Sequence, residues 1–188
     1  MTTERHNARA FAANPDAKQR GPNGRVLCRW CGTETEPPRR TFCGDECVEE
    51  WNVRNSASHA RRRVFERDQG VCRLCRIDTR QQIRELREEF QIVRFNRRPP
   101  ADRAKAFYAR LHSLSIPLSR WQEADPFRGC WDMDHITPVA EGGGSCGLDN
   151  LRTLCLRCHH RQTRRLRQRQ KQRKKRKRRD PLESYRLA

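Results

Sequence analysis

Eight of the ten cysteines in this 188-residue chain stand in four close pairs: Cys28 and Cys31, Cys43 and Cys47, Cys72 and Cys75, and Cys155 and Cys158. A Cys-x2-Cys turn sets two sulfurs at two corners of a tetrahedron, and a second pair from elsewhere in the chain fills the other two. Two sites can be written on that basis. Cys28, Cys31, Cys43 and Cys47 make a local one, and Cys72 and Cys75 join Cys155 and Cys158 across a long intervening segment. Four thiolates close the coordination sphere, so both zincs are expected to be structural. The chain needs that help. Only 34% of its residues are hydrophobic and 35% are charged, which leaves a modest core, and a structural zinc adds roughly 10–16 kcal/mol of apparent binding energy to folding. No apolar segment follows a basic start, so neither a secretory signal nor a transmembrane helix is expected. In the reducing compartment this implies, paired cysteines mean metal more often than disulfides. Cys130 and Cys146 lack a paired spacing and read as free thiols.

The charge is as lopsided as the cysteine pattern. Lys and Arg exceed Asp and Glu by 42 to 23, which argues for a polyanionic partner, nucleic acid ahead of an anionic membrane surface. Along the chain, residues 1–25 read as a flexible arm and 26–57 as a four-cysteine zinc finger whose second pair opens a helix through Val48 and Trp51. Residues 58–166 read as the second domain. It begins with a helix capped by Ser58, running through Val64 and Phe65 to a stop at Gly70. Between about 77 and 128 lies a helical insertion: Ile83, Leu86, Phe90 and Val93 share one helical face, and after Pro99 and Pro100 so do Ala104, Phe107, Leu111 and Leu114. Such stripes make core, so the insertion is expected to pack. Residues 167–188 are a basic tail.

The stretch WDMDHITPVAEGGGSCGLDNLRTLCLRCHH, residues 131–160, carries the chemistry. Trp131, Met133 and Ile136 suggest a short strand ending at Pro138, the glycines at 142–144 a flexible loop, and Leu148 to Leu154 a return strand. Cys155 and Cys158 then anchor the start of a helix that carries His159. A strand, loop, strand and helix closed by zinc bring Asp134 and His159 together. One carboxylate and one imidazole leave most of a divalent ion's coordination sphere open to water and phosphate oxygens, which marks a catalytic site. Asp134 and His135 point to opposite sides of a strand, so they flank a phosphate rather than share an ion. An imidazole is the side chain suited to accept a proton near neutral pH, so His135 can take one from attacking water. Asn150 is expected to hydrogen-bond across the loop and hold His135 in place. Spacing alone leaves both His159 and His160 open as the ligand.

Asp134-His135, Asn150 and Cys155-x2-Cys158-His159, preceded by Cys72-x2-Cys75, resemble the HNH endonucleases with the ββα-metal fold. The resemblance implies a small zinc-stabilised α+β, treble-clef-like core, with His135, Asn150 and His159 as the three named positions. It gives His135 the general-base role, assigns Asp134 and His159 to a catalytic Mg²⁺ or Mn²⁺, and selects His159 over His160. With the stretches VFERDQGVCRLC, GGGSCGLDNLRTLC and RTFCGDECVEEW, the chain is most similar to the nuclease domain that ends animal annealing helicases bearing a RAN-binding-type zinc finger. Related stand-alone proteins occur in bacteria and phages. Gln162 departs from the family, which often has Lys before Thr163, and this removes one expected phosphate contact.

From Arg161 to Arg179 the chain holds thirteen Lys or Arg and no acid, most of the net charge of +19. Arg161, Arg164, Arg165, Arg167, Arg169, Lys171, Arg173, Lys174, Lys175, Arg176, Lys177, Arg178 and Arg179 are therefore the expected phosphate contacts. The expected partner is DNA, double-stranded or branched, with RNA also open; no membrane is expected. The Arg-rich composition suggests a bacterial or phage source and hence the cytoplasm, while in a eukaryote the tail would read as a nuclear localisation signal. Two alternatives stay open: a zinc-stabilised nucleic-acid-binding module without chemistry, and an RNA-directed or toxin nuclease.

Overall fold

The computed structural model describes residues 19–95, 101–122 and 130–179. The expected arm up to residue 18, the stretches 96–100 and 123–129 of the insertion, and the tail from 180 lie outside the described residues, as do the side chains of Lys177, Arg178 and Arg179. In chain order the elements are α1 (Asp45–Asn55), α2 (Ala57–Asp68), α3 (Thr79–Phe95), α4 (Ala101–Ser113), α5 (Leu118–Gln122), β1 (Trp131–His135), β2 (Leu151–Cys155) and α6 (Leu156–Arg179). No helix among the described residues is long and apolar enough to cross a membrane. The described residues divide into two compact units, one formed by those up to Arg63 with Ser145–Leu148, the other by those of Val64–Gly144 and from Asp149 on.

In the first unit, isolated bridges from Arg20 to Val26 and from Leu27 to Glu34 bracket Cys28. Helix α1 begins just after Cys43 and contains Cys47. The unit has little aliphatic core and uses cation–π contacts instead, with Arg54 4.4 Å from the Trp30 ring centroid and Arg29 4.9 Å from that of Trp51. Glu49 ties α1 to α2, accepting from Arg63 at 2.6 Å and pairing with His59 at 2.9 Å. The cap of α2 differs from the sequence expectation. An N-cap hydroxyl must reach the amide three residues on, and it is Ser56 Oγ that accepts from His59 N at 3.3 Å, whereas Ser58 lies inside the first turn.

In the second unit the insertion is a packed helical hairpin. Leu86 of α3 meets Phe107 and Leu111 of α4, with Ile116, Cys130 and Leu156 completing the cluster. The rings of Phe90, Phe107 and Trp121 stack around it, with centroids 5.4–5.6 Å apart. Arg110 clamps the two helices through Glu85, at 3.0 Å, and Glu89. Cys130 is 2% exposed, and burial pushes its thiol up to about 11; it is packing material.

β1 and β2 pair antiparallel, with Asp134 opposite Arg152 and His135 opposite Leu151. The return strand starts at Leu151 rather than Leu148, because Leu148–Asn150 curl into a 3-10 turn and the Asn150 carbonyl accepts from Ile136 N at 2.8 Å. The glycine loop is also more fixed than its composition suggests. Gly143 N donates to Pro138 O at 3.0 Å, and the Gly143 carbonyl accepts from Asn150 Nδ2 at 3.0 Å. A Cβ at Gly143 would fall 1.7 Å from Thr137 O, so only glycine fits there.

The end of α2 anchors β2. Asp68 Oδ2 accepts from Thr153 N at 2.8 Å, Arg73 N donates to Thr153 O at 2.8 Å, and Arg67 Nη2 donates to Leu151 O at 2.7 Å. Burial would raise the Asp68 carboxyl, but hydrogen bonds from Arg67 and Thr153 outweigh it and hold its pKa below the usual carboxylate range. Its folded pKa being depressed, this contribution to stability is present above the unfolded value of about 3.9 and disappears as pH falls through the folded value. Asp68→Ala leaves the buried Thr153 amide without a partner and is expected to cost about 1–3 kcal/mol in urea unfolding at neutral pH. The difference from wild type should shrink in acid.

Candidate metal centres and cleft

Both expected cysteine groups converge. In each group of four the sulfurs lie within 4.8 Å of one another, and the closest pairs are 3.4–3.6 Å apart. A tetrahedron with Zn–S bonds of about 2.3 Å has edges of about 3.8 Å, whereas a disulfide needs about 2.05 Å. None of the ten cysteines forms a disulfide. The two leading turns share one geometry. Gly32 N returns to Cys28 O at 2.9 Å, Arg76 N returns to Cys72 O at 2.9 Å, and both Gly32 and Arg76 are left-handed, with φ of 75° and 64°. Burial raises the Cys31 thiol, but Thr33 hydrogen bonds outweigh it and bring it down to about 6. A hydrogen bond from Cys155 brings Cys72 down to about 4, and the same contact pushes Cys155 upward. So compact a set of sulfurs ionises together only around a cation, and the donor set suits zinc.

Beside the second cluster lies an open cleft of about 610 Å³, lined by Asp134, His135, Arg152 and His159. The loop residues from Ile136 to Glu141 form one wall, and Gln162, Thr163, Leu166 and Arg169 of α6 the other. His159 sits one residue after Cys158, so the sulfur cluster that ties β2 to the start of α6 also sets its place over β1. His159 Nε2 is 4.0 Å from Asp134 Oδ1. Two bonds of about 2.1 Å can span that gap, so one divalent ion fits between them. His159 Nδ1 faces Asp132 Oδ2 at 2.9 Å. The other oxygen of Asp134 accepts from Arg152 Nε at 2.9 Å and Nη2 at 2.8 Å.

Asn150 is the staple of the loop. Its Oδ1 accepts from Thr137 N at 2.8 Å, and its Nδ2 donates to Thr137 O at 3.2 Å and to Gly143 O. These bonds fix the chain two residues beyond His135.

An HNH endonuclease family model matches residues 123–165, which hold β1, the loop, β2 and the start of α6. The mouse DNA annealing helicase and endonuclease ZRANB3 is 34% identical over 152 residues, 74% of this chain and 13% of that protein. Its human counterpart is 39% identical over 127 residues, 66% of this chain and 11% of that protein. The chain thus spans only a small part of the length of these curated relatives. The crystal structure of the human ZRANB3 HNH domain is 32% identical and covers 64% of this chain and 97% of that one, with a TM-score of 0.40. At that score the superposition carries no weight, and the kinship rests on sequence. The chain belongs to the HNH endonuclease family. Its HNH domain is the zinc-stabilised α+β, ββα-metal unit that the family resemblance implied.

Two residues in and behind the HNH cleft were not singled out from the sequence. Asp132 was detectable, since strand alternation places it on the same face as Asp134. Arg152 was not, because its pairing with Asp134 depends on the hairpin register. The basic run is helical through Arg179. Arg164, Arg167, Lys171 and Lys174 line one groove along it. Among its described cations, Arg161 Nη2 donates to Cys158 Sγ at 3.4 Å, and Arg169 forms two 3.2 Å bonds with Glu141.

Proposed function

We propose that this HNH domain hydrolyses phosphodiester bonds of double-stranded or branched DNA, with His135 as general base and one Mg²⁺ or Mn²⁺ held by Asp134 and His159. The observation that carries this reading is the convergence of Asp134, His135 and His159 on one cleft. His135 takes a proton from water as its oxygen bonds to phosphorus. The bond from phosphorus to the departing sugar oxygen then breaks, and that oxygen leaves with a proton from solvent. The bound ion supplies stabilisation of the charge growing on the phosphate and leaving oxygen. Arg152 holds the Asp134 carboxylate, and Asn150 fixes the backbone beyond His135. Each cysteine group holds one structural zinc.

DNA is favoured as substrate by the excess of basic residues and by the relatives' designation as DNA annealing helicase and endonuclease. RNA, by comparison, is supported by charge alone. The exposed cations of α6 contact phosphate, and the site of action is wherever that DNA lies: the cytoplasm of a bacterial or phage host, or a eukaryotic nucleus. A binding module without chemistry needs the cysteines and α6 only, and leaves the cleft triad without a task.

The test is metal add-back on supercoiled plasmid. Brief EDTA treatment should stop cleavage by emptying the open site while two zincs per chain remain, and Mg²⁺ or Mn²⁺ should restore it. Failure to cut plasmid, forked or single-stranded DNA with either ion would overturn the DNase reading. Cleavage of RNA alone would redirect it.

A further inference from the structure

We propose that Asp132 is the positioning residue of the divalent-ion site, fixing the ring of His159 so that its Nε2 is the atom presented to the ion. The inference rests on the proposed nuclease site and concerns a residue outside its ligand and base set. Asp132 and Asp134 are two apart on β1 and therefore emerge from the same face of the strand. His159 reaches that face from the first turns of α6. Its two ring nitrogens meet the two carboxylates in different ways. Nδ1 is at hydrogen-bond distance, 2.9 Å, from Asp132 Oδ2, while Nε2 is 4.0 Å from Asp134 Oδ1, too far for a hydrogen bond and wide enough for a shared ion. With the Asp132 carboxylate set against Nδ1, a proton is best held on that nitrogen, which leaves the Nε2 lone pair directed towards Asp134. The Asp132 side chain is only 14% exposed, so the contact is shielded from competing water.

The arrangement divides the strand's two carboxylates by task. Asp134 has an oxygen turned to the ion position and is itself held by Arg152. Asp132 is not among the residues that line the cleft, and it meets the ion's ligands through the imidazole. A carboxylate behind a metal-bound imidazole fixes its tautomer and orientation and makes it a better donor, and losing such a partner typically weakens metal binding by about 10- to 100-fold.

The test is Mn²⁺ binding, followed by electron paramagnetic resonance and calorimetry on the full zinc-loaded chain, for wild type, Asp132→Asn, Asp132→Ala and Asp132→Glu. Asp132→Asn keeps the shape of the side chain and guards against a folding artefact; zinc content and thermal midpoint should stay at wild-type values. Mn²⁺ affinity is expected to drop about 10- to 100-fold in Asp132→Ala and by less in Asp132→Asn, with partial recovery in Asp132→Glu. Plasmid cleavage by Asp132→Asn should need correspondingly more Mn²⁺ and approach the wild-type rate once saturated. Unchanged Mn²⁺ affinity in both Asn and Ala variants, with wild type binding and cutting normally, overturns the role of Asp132 alone. A wild-type chain that binds no Mn²⁺ and cuts nothing overturns the nuclease site as well.

Discussion

Cys158→Ser is expected to release one of two zincs and to unfold the HNH domain, whereas Cys28→Ser should release the other and leave nuclease activity partly intact. The asymmetry follows from what each sulfur group joins. Cys72 and Cys75 lie in a turn after α2, Cys155 ends β2, and Cys158 sits in the first turn of α6, so one ion joins two segments that are distant in sequence. Cys72, Cys155 and Cys158 form a buried cluster of their own with Leu154, while Cys75 is exposed. A serine oxygen is a poor substitute for a thiolate, and the apparent binding energy at stake, about 10–16 kcal/mol, is as large as the whole stability of an ordinary domain. Elemental analysis should fall from near two zincs to near one in both variants. Circular dichroism should show loss of cooperative melting of the HNH domain only in Cys158→Ser. Native disulfides found by mass spectrometry would contradict the zinc assignment itself.

Truncation after Gln170 should weaken DNA binding uniformly across sequences and flatten its salt dependence. The cut removes eight Lys or Arg between 171 and 179 while keeping Arg169, which is paired with Glu141 at the edge of the cleft. Like charges at helical spacing repel, and neutralisation by phosphate relieves that. If the intact chain neutralises six to ten phosphates, its affinity should fall by about 10³–10⁵ between roughly 50 and 200 mM salt. The truncated chain should show a slope smaller by about 0.9 for each phosphate it no longer neutralises. Phosphate contacts carry no sequence information. A changed sequence preference at an unchanged slope would show instead that the tail reads bases.

Local chemistry made much of this molecule legible from its residues. Cysteine spacing pointed to both sulfur groups, since a Cys-x2-Cys turn leaves little choice of sulfur placement. The helical stripes Ile83 to Val93 and Ala104 to Leu114 indicated the packed insertion because burial follows helical period. What stayed hidden depended on register and on backbone hydrogen bonding. Arg152 meets Asp134 only because the hairpin pairs those two positions. The glycines at 142–144 suggested a slack loop, yet Asn150 and Pro138 bind Gly143 in place. Composition reports freedom in the unfolded chain and says nothing of the partners that remove it. Ser56 and Ser58 are equally good caps by type, and only the hydroxyl-to-amide distance chooses between them. The hydrogen bond from Arg161 to Cys158 was hidden for the same reason, since a run of cations does not reveal which of them finds an acceptor.

The central claim, that His135 and the Asp134–His159 pair do different work on one phosphate, is tested most directly by the Mn²⁺ dependence of plasmid cleavage in wild type, His135→Ala and Asp134→Ala. His135→Ala removes the base and leaves the ion's ligands, so its curve should reach half-maximum at the wild-type Mn²⁺ concentration with a plateau lower by about 10² or more. No added metal should rescue it. Asp134→Ala removes a ligand and leaves the base, so its curve should move to higher Mn²⁺ and recover a fraction of activity there. Equal displacement of both curves along the metal axis, or wild-type cleavage by His135→Ala, would contradict the account.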